Sequence, residues 1–260
     1  MEVHHHPNVE KKNFKEYFLE FLMIFLAVTM GFFAETIREN ISENKQANEL
    51  AKSLFQEVNA DSANVQTVIS MRIKKEQSLI YFKNAALDSN LVDPPKPFYA
   101  AFAWGFWINT AITFEPNDAV LNQLKNSGTL RYFRNLKLQQ KIGELGVEIL
   151  KIRERQQQEY GYISMELRPF VLKYFDFKLL DSVVHEGDLP MTDVLIKDSA
   201  QLSRSVKILN FQNFNRSEAS NVADYYAIML RSSRHSQFAQ YIKTNHELLE
   251  LLRSEYTIDK

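Results

Sequence analysis

The chain has 260 residues, is 45% hydrophobic with 19 Phe and 11 Tyr, and carries a formal net charge of −1. This content supports a packed core rather than a disordered tail, and the charge balance leaves no basic excess to meet nucleic acid. Cysteine is absent, which excludes disulfides, thiolate zinc sites and cysteine nucleophiles.

Residues 1–16 read as a short N-terminal tail. His4, His5 and His6 are adjacent imidazoles without an acidic or thiol partner, so they read as solvated side chains. The stretch Phe21–Ala34, FLMIFLAVTMGFFA, is uncharged, and extended back to Tyr17 it holds one acid, Glu20. As a helix those residues reach about 27 Å, against a hydrocarbon core of about 30 Å. Apolar side chains surround the helix instead of forming one stripe, as a lipid-facing helix needs. The expectation is a transmembrane helix over 17–35. A cleaved signal peptide would need small residues at a cleavage site, and Phe32-Phe33-Ala34 supplies none, so an uncleaved signal anchor fits better. Lys11, Lys12 and Lys15 precede the span, while Glu35, Glu39 and Glu43 follow it with only Arg38 among them. Basic flanks stay in the cytoplasm, which places the N-terminus inside and the bulk of the chain across the membrane. Glu20 is a candidate intramembrane acid, since ionisable groups in spans mark proton or ion paths. It lies in the first turn of the span, where a carboxylate also reaches the interface.

From Glu35 to about Asn84 the pattern is helical. Ile37, Ile41, Leu50, Leu54, Val58, Val65, Val68, Ile69 and Ile73 recur at three- and four-residue steps, with no Pro or Gly between them. The span is expected to run on into this helix as a stalk, stopped by Asp93-Pro94-Pro95-Lys96-Pro97. Phe98–Phe114 is again uncharged and holds Trp104, Phe106 and Trp107. Asn109, Thr110, Thr113 and two mid-segment tryptophans argue for a buried helix rather than a second span. Its functional alternative is an aromatic interaction surface formed by those three residues.

A compact helix–turn–helix follows. Asn117 or Asp118 should cap its first helix, Gly128 should stop it, and Leu121, Leu124, Leu130 and Phe133 should face inward. Asn135 then caps a long helix with a stripe of Leu138, Ile142, Leu145, Ile149, Ile152, Tyr160, Ile163 and Leu167, with Gln156 in register and Pro169 at its kink or end. Equal lengths suggest that the two long helices pair antiparallel. The whole of 36–176 reads as stalk and bundle, 177–198 as a linker, and 199–260 as a C-terminal helical segment broken near Asn213–Ser217. Neither strand alternation nor an internal repeat is present.

Catalytic signatures are missing: no phosphate loop, GxSxG, HExxH or EF-hand sequence occurs. His185 beside Glu186 and Asp188 reads as a solvated turn, and the basic cluster Arg131, Arg134, Lys137 as a solvated helix side. Three patches, EFLMIFLAVTMGFFAE, FEPNDAVLNQLKNSGTLRYFRN and ELLELLRSEYTID, resemble an uncharacterised family of single-pass helical membrane proteins of Gram-negative bacteria. The resemblance implies a helical extramembrane domain and transfers no catalytic residue; with the orientation read from the flanks, the expected place is the bacterial inner membrane, with the bulk of the chain periplasmic.

The sequence therefore reads as all-α: one transmembrane helix, a long stalk and an antiparallel extramembrane bundle. A non-enzymatic scaffold or interaction protein is expected, with the lipid bilayer and a second copy or another membrane protein as partners. No cofactor and no small-molecule substrate is inferred. The alternative is a single-span transport or energy-coupling subunit, stator-like, that uses Glu20.

Overall fold

The computed structural model describes residues 13–88, 90–92, 98, 101–107, 111–175, 208–256 and 258, without the side chains of Ala103 and Trp107. The tail through residue 12 and the expected linker 177–198 lie outside the described residues, as do 199–207. All described elements are helical, and the chain divides into two compact units, residues 1–51 and 52–260.

Helix α1 runs unbroken over Phe14–Asp88. Glu16 caps its start from within the first turn: Asn13 N donates to Glu16 Oε2 (3.2 Å), and Glu16 N donates to the Asn13 backbone carbonyl (2.8 Å). In its most apolar window the side chains are largely exposed and none is buried, whereas Ala47 and Ala51, at the end of the first unit, are buried. This is the one helix among the described residues long and apolar enough to cross a membrane.

In the second unit α1 presents Leu54, Val58, Asp61, Val65, Val68, Arg72, Lys75, Leu79, Phe82 and Ala86, all buried, to the core. Their spacing alternates strictly between four and three, the repeat that keeps one seam facing a partner. Three of these positions are polar, and Arg72 takes the inward place that the stripe of apolar residues had given to Ile73.

The aromatic segment includes a π-helical turn over Ala103–Trp107. Helix α2 covers Ala119–Asn126, and Gly128 follows at φ 72°, a left-handed conformation that suits glycine. Asp118 stands at the N-cap of α2 without a side-chain bond to it. Glu57 of α1 caps α2 instead, accepting from Val120 N (2.9 Å) and Leu121 N (3.4 Å). Leu121, Leu124 and Phe133 are buried as expected, and Leu130 is half-buried.

Helix α3 spans Leu136–Tyr162 and opens on Asn135, whose side chain accepts from Lys137 N and Leu138 N. Its buried positions run 138, 142, 145, 149, 152, 156, 159 and 163, so Glu159 takes the inward place expected of Tyr160, which is 48% exposed. The π-helical turn Ile163–Leu167 then adds one residue, giving two successive four-residue steps before Phe170 and Tyr174 resume the seam in α4 (Arg168–Tyr174). Pro169 therefore does not end the helix: it lies in the first turn of α4, directly after the π-turn, and Phe175 is the stop.

Helix α5 covers Arg216–Ser233, capped by Asn215 onto Ser217 N and Glu218 N. A third π-helical turn, Arg234–Phe238, leads into α6 (Ala239–Glu255). Register follows from the cross-helix bonds. Along α1, Ser62 meets Asn245, Glu76 meets Arg231 and Arg234, and Lys83 meets Asp224. Along α3, Asn135 meets Glu255, Lys141 meets Glu247 and Arg155 meets the Met229 carbonyl. Both long helices thus run opposite to α5–α6 and in the same direction as each other. That corrects the antiparallel pairing expected of the first two: the returning partner is the C-terminal helix pair, a choice helix length alone does not encode.

Candidate functional site

Three features carry the sequence expectations: the acid in the apolar helix, the aromatic segment, and polar residues of the core. Glu20 sits in the second turn of α1, half-buried, next after the Asn13–Glu16 cap and on the same side as Glu16.

The aromatic segment packs inward. Phe82 of α1 is the hub, with ring centroids 5.1 Å from Phe98, 5.2 Å from Phe102 and 4.7 Å from Phe106. Phe106 also meets Phe170, and Phe102 meets Phe175. Gly105 permits the approach, since a Cβ there would lie 3.0 Å from Leu79 Cδ2. Trp104 and Phe106 are 7% and 1% exposed, so in this conformation they form core and not the exposed interaction surface considered from sequence. The side chain of Trp107 lies outside the described residues.

Beside the aromatic hub lies an ionic network that periodicity did not flag. Arg72 is buried, and its Nη2 donates to both oxygens of Glu159 (2.7 and 2.9 Å) and to Ser233 Oγ (2.6 Å). Its Nη1 donates to the Ile112 carbonyl (2.8 Å), and its guanidinium lies 4.9 Å from the centroid of the Phe238 ring. One turn on, Lys75 is fully buried and its Nζ donates to the Trp104 carbonyl (3.1 Å). Glu76 accepts from Arg231 Nε (2.6 Å) and Arg234 Nη2 (2.7 Å). A single stretch of α1 thereby ties down the backbone at Trp104 and at Ile112, α3 and the α5–α6 helix.

Two further polar residues fix the chain around Phe114–Asn117. Gln156 of α3 accepts from Phe114 N (2.6 Å) and donates to the Phe114 carbonyl (3.0 Å), replacing both partners that a strand would have offered. Asp61 accepts from Asn117 N, Asn117 Nδ2 and the Tyr241 hydroxyl.

Environment shifts these groups in opposite senses. Burial, followed by repulsion from Arg72, pushes the Lys75 ammonium down to about 7. Burial raises Asp61 despite its three donors. Burial also works to raise Glu76, but the bonds from Arg231 and Arg234 outweigh it and hold the carboxyl below its usual range. Among the described residues no group of three or more His, Asp or Glu side chains is placed to hold a metal ion. The signals sequence reading missed were Arg72, Lys75 and Glu159. They stand in the three-four seam, and only the repeat extended through polar residues would have found them.

Comparison with protein-family models, curated proteins and solved structures finds no match.

Proposed function

We propose that this protein is a membrane-anchored helical scaffold, held by the N-terminal part of α1, with residues 52–260 as its extramembrane body. The observation that carries the reading is the apolar surface of α1, exposed all round: Phe18 is 54%, Met23 66% and Phe32 71% exposed. A soluble protein rarely leaves so large a contiguous apolar surface open, whereas hydrocarbon matches it on every face. Lysines ahead of the span and acids behind it favour a cytoplasmic N-terminus, and with it a periplasmic body in a bacterial inner membrane.

The second unit directs association away from its interior. The apolar seams of α1, α3 and α5–α6 are covered by one another, and Arg72, Glu76, Asp61 and Gln156 are bonded within the chain. Partners, whether a second copy or another envelope protein, are therefore met by the anchor helix or by the outward side chains of the body. Glu20 enters this reading as an interfacial acid.

The test is integration. Wild-type chain should stay in the pellet after alkaline carbonate extraction of membranes and should float with liposomes. Leu26→Lys places a charge near mid-span, costs about 3 kcal/mol of insertion free energy, and should release most of the chain to the supernatant. A wild-type protein fully extracted by carbonate would sink the anchor. Glu20→Gln should leave integration and native-detergent particle mass unchanged. Loss of a partner in that variant would favour the energy-coupling alternative.

A further inference from the structure

Helix α1 keeps a repeat that its own chain covers only in part. From Leu54 on, its buried positions alternate between steps of four and three. Followed toward the N-terminus, the same alternation passes Ala51 and Ala47, both buried, and then Asn44, Asn40 and Ile37. It goes on without a slip through Phe33, Met30, Leu26, Met23 and Leu19. The apolar members from Leu19 to Ile37 are each between 48% and 69% exposed. Hydrocarbon suits those up to Phe33, but Ile37 and Ile41 lie beyond Glu35. They stand one turn apart on the seam side, 58% and 65% exposed among Glu39, Asn40, Glu43 and Asn44. A three-four repeat is the pattern by which one helix packs along another, and it does nothing for a helix that stays alone. The far side of α1 carries a separate bulky stripe, Phe21, Phe25, Val28 and Phe32. Beside the seam, the Thr29 and Thr36 hydroxyls donate to the Phe25 and Phe32 carbonyls (2.7 and 2.9 Å), so neither brings an unpaired donor into a contact there.

We propose that this seam of α1, from Leu19 to Asn44, is the interface for a second copy of the chain, in a parallel, in-register pair. The seams of the second unit cover one another, which leaves this one to a partner from outside the chain. Such a partner must carry a matching repeat that begins in hydrocarbon and continues, at the same height, into water. A second copy does so, because the same span sets its depth and its direction. Ile37 then faces Ile37, and Asn40 and Asn44 each face their own counterpart across a two-fold axis. A carboxamide both donates and accepts, so it is its own complement, as a symmetric contact requires. Asn inside a two-stranded seam also fixes register and strand number. The pairing rests on the anchor reading, since the bilayer is what aligns the two copies.

The chain has no cysteine, so single cysteines report the pairing directly. Ile37→Cys and Asn44→Cys put a thiol on the seam, whereas Glu39→Cys and Gln46→Cys put one on the far side of the same turns. Membranes holding each full-length variant are treated with a mild oxidant and run without reductant, and a portion of each is extracted with alkaline carbonate. A disulfide needs Cα atoms within about 7 Å. The two seam variants should therefore convert largely to a product of twice the chain's mass, and the far-side variants only in traces. Ile37→Asp added to Asn44→Cys sets two carboxylates against each other in the seam. It should cut that product more than about tenfold while the chain stays in the carbonate pellet. Pelleted chain that cross-links equally at all four positions, or not at all on the seam, would overturn the pairing and leave the anchor standing. A product of another mass would seat a different membrane protein on the seam and overturn the pairing as well. Release of the chain by carbonate would remove both readings.

Discussion

Arg72 and Glu159 form the ion pair on which most of the core converges. Each is nearly free of solvent, and both oxygens of the carboxylate accept from one guanidinium nitrogen. Removing one partner of such a pair leaves a buried charge unmatched, whereas replacing both with apolar groups is often neutral. Arg72 Nε has no acceptor, so the arrangement already leaves one donor unpaired. We expect Glu159→Ala to cost about 3–5 kcal/mol, read as a lower midpoint in denaturant. The double variant Arg72→Met with Glu159→Met should recover most of that loss. If the single variant costs under ~1 kcal/mol, water reaches the pair and it behaves as a surface bridge.

At the scale of elements, the sequence disclosed what local chemistry decides. The cap at Asn135, the left-handed Gly128 and the helical periods on either side were legible, because each depends on residues within one turn of itself. The α2 cap was not, since Glu57 supplies it from another helix. The π-turns were hidden for a related reason: an extra residue in a seam shows only when the buried positions on both sides are known. Polar seam residues misled the reading, which gave Tyr160 the place of Glu159 and Ile73 that of Arg72. The helix α3 offers a paired test. Asn135→Ala removes the acceptor for Lys137 N and Leu138 N and should cost about 1 kcal/mol. At Gly143 a Cβ meets nothing within 4 Å, so Gly143→Ala should return about 0.5–1 kcal/mol through helix propensity. Thermal unfolding of the two single variants and the double should show near-additive shifts of opposite sign. A destabilising Gly143→Ala would mean that this face is occupied in the folded particle.

For the whole molecule, the division into two units makes a statement about folding. The seams of the second unit run from Leu54 onward and are matched within it by α3 and α5–α6. Its buried ionic groups find partners within residues 52–260: Asp61 with Tyr241, Arg72 with Glu159, Glu76 with Arg231. The first unit, by contrast, offers a helix whose apolar side chains meet no core at all in its most apolar window. Helices of that kind are stabilised by hydrocarbon, which satisfies no polar group and so demands the closed hydrogen bonding of a helix. A fragment of residues 52–260 should therefore fold in aqueous buffer without detergent. We expect a helical circular dichroism spectrum, a monodisperse particle and a single cooperative thermal transition. The full chain should need detergent or lipid to remain dispersed, yet unfold its second unit at a similar temperature. A fragment that is soluble but lacks cooperative unfolding would show that the first unit or the bilayer completes the core, and the boundary between anchor and body would then have to move beyond Lys52.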